Sequence, residues 1–125
     1  MPFRTNRRHF EHLTEQALEA MPDKFKQYFT NISIMIEDYP TREDVEFTDV
    51  PRNELLGLFR GIAYQDKGGM LDIPPPLPDE IILFQKNIEA ICSSERELIE
   101  EIRTTLIHEI GHYFGFSEEE LEQYE

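Results

Sequence analysis

His108, Glu109 and His112 stand in the order His-Glu-x-x-His near the C-terminal end of the sequence. On a helix, residues four apart project from nearly the same face, so two imidazoles can converge on one metal ion while the glutamate between them points toward the same centre. Imidazole at this spacing is a ligand for Zn²⁺. A catalytic zinc takes three protein ligands and leaves a position for water, which the metal makes acidic enough to yield hydroxide near neutral pH. A carboxylate beside that water can act as its general base. The chemistry indicated is hydrolysis, and it needs a third ligand.

The element that must carry these groups is legible around them. From Glu95 to Phe114 the residues Leu98, Ile99, Ile102, Leu106, Ile107, Ile110, Tyr113 and Phe114 recur at three- and four-residue spacings, which predicts a core-facing helix with both histidines slightly off its apolar stripe. Ser94-Glu95-Arg96-Glu97 reads as a capping box at its start. Gly115 closes it, because glycine adopts the left-handed conformation that stops a helix and reverses the chain. That reversal can bring Glu118 back toward the histidine pair.

The run HEIGHYFGFSEEEL resembles the extended zinc signature HExxHxxGxx(H or D) of metzincin and related zincin metallopeptidases. With the upstream LPDEIILFQKNIEAIC it is similar to small bacterial zincin-like metallopeptidases, one-domain proteins of about this length. Residue by residue, the resemblance implies His108 and His112 as zinc ligands, Glu109 as general base and Glu118 as third ligand. Two departures stand out. The third position holds glutamate where the signature has His or Asp, and no methionine follows Gly115 to form a Met-turn.

Read by itself, the tail offers another role for its acids. Ser117-Glu118-Glu119-Glu120 is a second capping box, opening a last helix with Leu121 and Tyr124, and the helix dipole favours carboxylates in any first turn. Glu118 is therefore a ligand or a first-turn residue, and Glu119, Glu122 or a more distant carboxylate are the other candidates for the third ligand.

The composition restricts the class of protein. At 125 residues the chain is sized for a single domain spanning 1–125. The lone Cys92 forms no internal disulfide and Met1-Pro2-Phe3-Arg4 lacks a signal peptide's apolar core, so a reducing, cytoplasmic setting is expected. No apolar run reaches the roughly 18 residues a membrane span needs. A net charge of -14 repels phosphate backbones, which argues against nucleic acid as a partner and favours basic ligands or metal cations.

Taken from the start, a helix with core face Phe10, Leu13, Ala17 and Met21 ends at Pro22. His9 and His12 on it read as surface histidines, since no acid or cysteine stands at ligand spacing. A helical turn around Phe25 and Phe29 leads into Ile32, Ile34 and Ile36, which alternate with Ser33, Met35 and Glu37 as in a half-buried strand. Residues 41–54 read as a surface loop with Phe47 and Val50 attached to the core. Residues 55–64 form a second extended run with Gly57 and Gly61, which suggests a bulge or a close backbone approach. Residues 66–69 are a turn, and the prolines of 74–78 a rigid connector. Residues 80–85 make a short apolar strand, joined to the zinc helix by residues 86–93.

These elements predict an α+β domain, a small sheet packed on one face by the active-site helix and the N-terminal helix. The resemblance implies a peptide or protein substrate added as a strand to residues 80–85 or 55–64. Tyr113, on the apolar stripe, and Tyr124, near the end, are poor candidates for an oxyanion stabiliser. Two functions follow: a zinc metallopeptidase, or a metal-binding or interaction module that keeps the zincin scaffold without turnover.

Overall fold

Ile81, Ile82, Leu83 and Phe84 are all fully buried, which a strand achieves only when both of its faces are covered. This run is the centre of the molecule, which a computed structural model describes over residues 2–60 and 79–122, the side chain of Glu118 excepted. The expected turn at 66–69, the proline run at 74–78, residues 61–64 and Tyr124 lie outside the described residues.

Among the described residues three strands form the sheet: β1 (Ile32–Glu37), β2 (Gly57–Arg60) and β3 (Asp79–Phe84). Their order is β1-β3-β2, with β1 parallel to β3 (Ile34 opposite Ile81) and β2 antiparallel to it (Leu58 opposite Ile82). Ile81 and Leu83 point into the main core, while Ile82 and Phe84 join Leu55, Leu58 and Val50 on the other face.

The main core is closed by two helices. In α1 (Arg7–Glu19) the Asn6 side chain caps the His9 N–H at 2.7 Å, and Phe10, Leu13, Thr14 and Ala17 are buried. Those spacings place one face of α1 on the core. A short helix α2 (Asp23–Lys26) and a 3-10 turn (Gln27–Phe29) lead into β1. The 20-residue helix expected from the sequence, called α5 below, spans Glu95–Phe114 and buries Leu98, Ile102, Leu106, Ile107 and Ile110 against α1, β2 and β3. Tyr113 is only half-buried and Phe114 is 46% exposed, so the core stripe ends at Ile110, one turn earlier than its spacing suggests. No helix among the described residues is long and apolar enough to cross a membrane.

Two segments differ from the sequence reading. Within 41–54 lies a helix, α3 (Arg42–Thr48), built on a capping box in which Asp44 N–H donates to Thr41 Oγ1 at 3.1 Å and Thr41 N–H to Asp44 Oδ2 at 2.9 Å. Phe47 is 80% exposed on it, not attached to the core. Between β3 and α5, residues Gln85–Ala90 form α4, with Gln85, Asn87 and Glu89 buried. Asn87 Nδ2 donates to the carbonyls of Arg52 (2.6 Å) and Leu55 (2.8 Å), which fixes the approach to β2. The last helix, α6 (Glu118–Glu122), follows α5 after a reversal at Gly115.

Candidate functional site

The local sequence of α5 sets the histidine pair. Ser94 Oγ caps the start by accepting from Glu97 N–H at 3.1 Å, and the Glu97 carboxylate reaches back to Ser93 N–H at 2.9 Å. At the other end Gly115 is left-handed (φ 79°), with Phe116 N–H bonding Gly111 O at 2.8 Å and Gly115 N–H bonding His112 O at 3.4 Å. Both bonds satisfy carbonyls that the helix end would otherwise orphan. His108 and His112 sit one turn apart just before this stop, ring centroids 6.0 Å apart and nearly perpendicular at 81°. His108 is half-buried and His112 exposed.

Glu109, between the histidines in sequence, reaches the sheet. Its Oε1 accepts the backbone N–H of Phe59, in β2, at 2.9 Å. The register explains why that N–H is available. Phe84 N–H donates to Leu56 O, so Leu56, Leu58 and Arg60 bond β3 in alternation, while Gly57 and Phe59 direct their N–H and C=O off the outer edge of β2. Burial pushes the Glu109 carboxyl above its ordinary value; the Phe59 hydrogen bond and the flanking His112 and His108 pull it down without cancelling that effect.

Gly57 lets α5 come this close. A Cβ there would stand 2.6 Å from Thr105 Cγ2, 3.3 Å from Ile82 O and 3.7 Å from Glu109 Cγ. The glycine in the second extended run thus marks a close backbone approach, one of its two expected meanings. Phe59 is held by its ring as well, stacked on Tyr113 at 4.0 Å and 14°. Tyr113 Oη donates in turn to Asp79 Oδ2 at 3.3 Å. Phe59, Tyr113 and Asp79 are therefore neighbours of the site, and no local sequence signal pointed to Phe59 or Asp79.

The tail reverses at Gly115 and packs back on the domain. Phe116 packs edge-on against Phe25 (5.5 Å) and Tyr28 (5.8 Å), and Ser117 and Glu120 form the second capping box at 3.1 and 3.0 Å. Leu121 is fully buried against Gly111, where a Cβ would stand 2.7 Å from its Cδ1. Gly111, between the histidines, is the seat of α6. Glu118 is the first residue of α6, and its side chain lies outside the described residues. Among the described residues no three His, Cys, Asp or Glu side chains converge as a metal site. His9 and His12 have surface roles: His9 Nε2 lies 3.0 Å from Glu95 Oε1 and His12 Nε2 3.1 Å from Gln16 Nε2.

The histidine pair suits two of the positions of a zinc site. Tetrahedral ligation through two Zn–N bonds of about 2.1 Å places ring centroids about 5.3 Å apart, and the observed 6.0 Å is close to that separation. Two imidazoles with a carboxylate make a donor set suited to that ion. β3 has both edges paired and β2 only one among the described residues, so of the two strands expected to receive a peptide only β2 has an edge to offer.

No curated protein matches the chain. Residues 29–125, more than three quarters of the sequence, match the zincin-like metallopeptidase family. The match begins ahead of β1 and takes in the sheet, the histidine helix and the tail; with a small mixed sheet backed by that helix, the chain belongs to the zincin-like metallopeptidases.

Proposed function

We propose that the protein is a zinc-dependent peptidase whose zinc is held by His108, His112 and Glu118 and whose general base is Glu109. The observation that carries this reading is the placement of Glu109: on the helix turn between two histidines, with its carboxylate against the outer edge of an edge strand. Zinc bound there supplies an acidic water and a Lewis acid for the scissile carbonyl.

The chain's own residues do the rest. The outward N–H and C=O of Gly57 and the C=O of Phe59 hold an extended peptide as an added strand, which puts a backbone carbonyl beside Glu109, whose carboxylate takes the Phe59 N–H. Glu109 accepts the proton of the attacking water at its carboxylate and returns it to the leaving amine nitrogen. A carboxyl raised by burial suits both halves of that transfer, because its proton affinity lies nearer neutrality than that of a solvated glutamate.

The test is Glu109→Gln assayed on a peptide library with zinc content measured in parallel. Loss of cleavage with zinc retained supports the peptidase. A zinc-loaded wild type that cleaves nothing would replace it with the metal-binding or interaction module.

A further inference from the structure

Beside the outer edge of β2, on the side away from the histidines, lies a groove of about 560 Å³ between β2 and α3. Leu58, Phe47 and the Phe59 segment line it, together with the polar Glu43, Asp44 and Arg60. We propose that this groove receives a lysine or arginine side chain of the bound peptide, so that the enzyme prefers basic residues at one position of its substrate. The proposal rests on the strand-addition reading above.

Geometry provides the first argument. A strand alternates its side chains between two faces. Gly57 and Phe59 lie on the α5 face of β2, and Leu58 and Arg60 on the other. A peptide added to the outer edge of β2 therefore directs every second side chain away from α5, over the groove.

Charge provides the second. Arg60 is already shared between Glu37 (3.0 Å) and Asp44 (2.7 Å), which leaves two carboxylates on one guanidinium. Glu43 adds another carboxylate with no ion pair among the described residues. The polar lining is thus net negative, on a chain of net charge -14. Phe47, 80% exposed, offers a ring face to a cation, and with Leu58 an apolar wall for an aliphatic stem. A long apolar stem ending in a positive charge is complementary to both parts.

The experiment reads binding without turnover. Full-length Glu109→Gln protein is titrated, in zinc, with extended host peptides carrying lysine, norleucine or glutamate at each position in turn. At one position lysine should bind at least fivefold more tightly than norleucine, and glutamate more weakly than either. Glu43→Gln should abolish the lysine advantage, Phe47→Ala should weaken the lysine peptide at least threefold, and Glu15→Gln, on α1, should change neither. Equal binding of lysine and norleucine everywhere, a lysine preference untouched by Glu43→Gln and Phe47→Ala, or no binding of any peptide would each overturn the proposal. A dimer that Phe47→Ala converts to monomer would overturn it too, by making a second copy of the chain the occupant. Lysine-selective binding with no cleavage by the wild type would remove the peptidase reading and leave the groove; cleavage indifferent to Glu43 and Phe47 would do the reverse.

Discussion

The backbone N–H of Phe59 and the carboxylate of Glu109, 50 residues apart in sequence, are 2.9 Å apart in the fold. That hydrogen bond ties Glu109, the proposed base, to the strand edge on which a peptide would lie, so one contact bears on its position and, against the larger effect of burial, on its proton affinity.

Replacing Glu109 with glutamine should lower peptide hydrolysis by about a hundredfold or more while zinc content stays the same. Removing the Phe59 N–H tests the tie. Phe59→Pro costs no bond to β3, because that N–H faces away from it, and proline is tolerated on such an edge. The bond lowers the Glu109 pKa against burial, so its loss should move the acid limb of the kcat/KM profile to higher pH. Phe59→Leu, which keeps the N–H, should leave the limb in place; an unmoved limb in Phe59→Pro would remove the tie from catalysis.

For the metal, the expectation is about one Zn²⁺ per chain, lost when His108 and His112 are both changed to alanine. Glu118→Gln should weaken zinc binding at least tenfold, and Glu118→Asp should retain most of it. Glu119→Gln and Glu122→Gln should stay within about twofold of the wild type if Glu118 is the ligand. Zinc dissociation constants by chelator competition decide among the three.

Gly57→Ala should destabilise the fold by about 1–3 kcal/mol, since the added Cβ meets Thr105 Cγ2, a stiff β-branched group in a helix. It should also widen the gap between β2 and α5 and lower activity by lengthening the Phe59–Glu109 bond. Thr105→Ser removes the offending methyl. Thermal unfolding and hydrolysis of the double variant should recover by about 1 kcal/mol relative to additivity.

Much of the site was legible because its causes are local. The caps at Ser94 and Gly115, three-four periodicity and the His108/His112 spacing act within a few residues, and they delimited α5 to its ends. What was not legible depends on distant partners. The capping box of α3, Thr41 to Asp44, is a local signal passed over for want of an apolar stripe behind it, whereas the bond of Asp44 to Arg60, 16 residues on, has no local sign. Gln85, Asn87 and Glu89 look like surface residues, yet they are buried where they bind the backbones of Thr5, Arg52 and Leu55. The partner of Glu109 is a main-chain group, which has no residue type to recognise.

Asp44 gives a pH prediction with a definite sign. Burial pushes its carboxyl up, but hydrogen bonds from Arg60 and Thr41 together outweigh that and hold it below its ordinary value. A depressed folded pKa stabilises above the unfolded value of about 3.9 and loses that contribution as pH falls through the folded one. Asp44→Asn should therefore flatten the acid side of a urea-midpoint profile below about pH 4. Arg60→Ala leaves the carboxylate buried without its partner; with Arg60 31% exposed, water tempers the loss to about 2 kcal/mol.

The order β1-β3-β2 has a kinetic consequence. Pairing Ile34 with Ile81 closes a long stretch of chain, and that loop entropy is recovered only when the central strand is covered on both faces. The helix bearing His108 and His112 needs no such closure: its caps and its turn-to-turn contacts are short-range, so it belongs to an early-forming, late-opening unit. Native-state hydrogen exchange should therefore show the Phe59 amide opening at lower free energy than the amides around Ile107 and Ile110. A partial opening of this kind releases Glu109 from its strand while the two imidazoles keep their register.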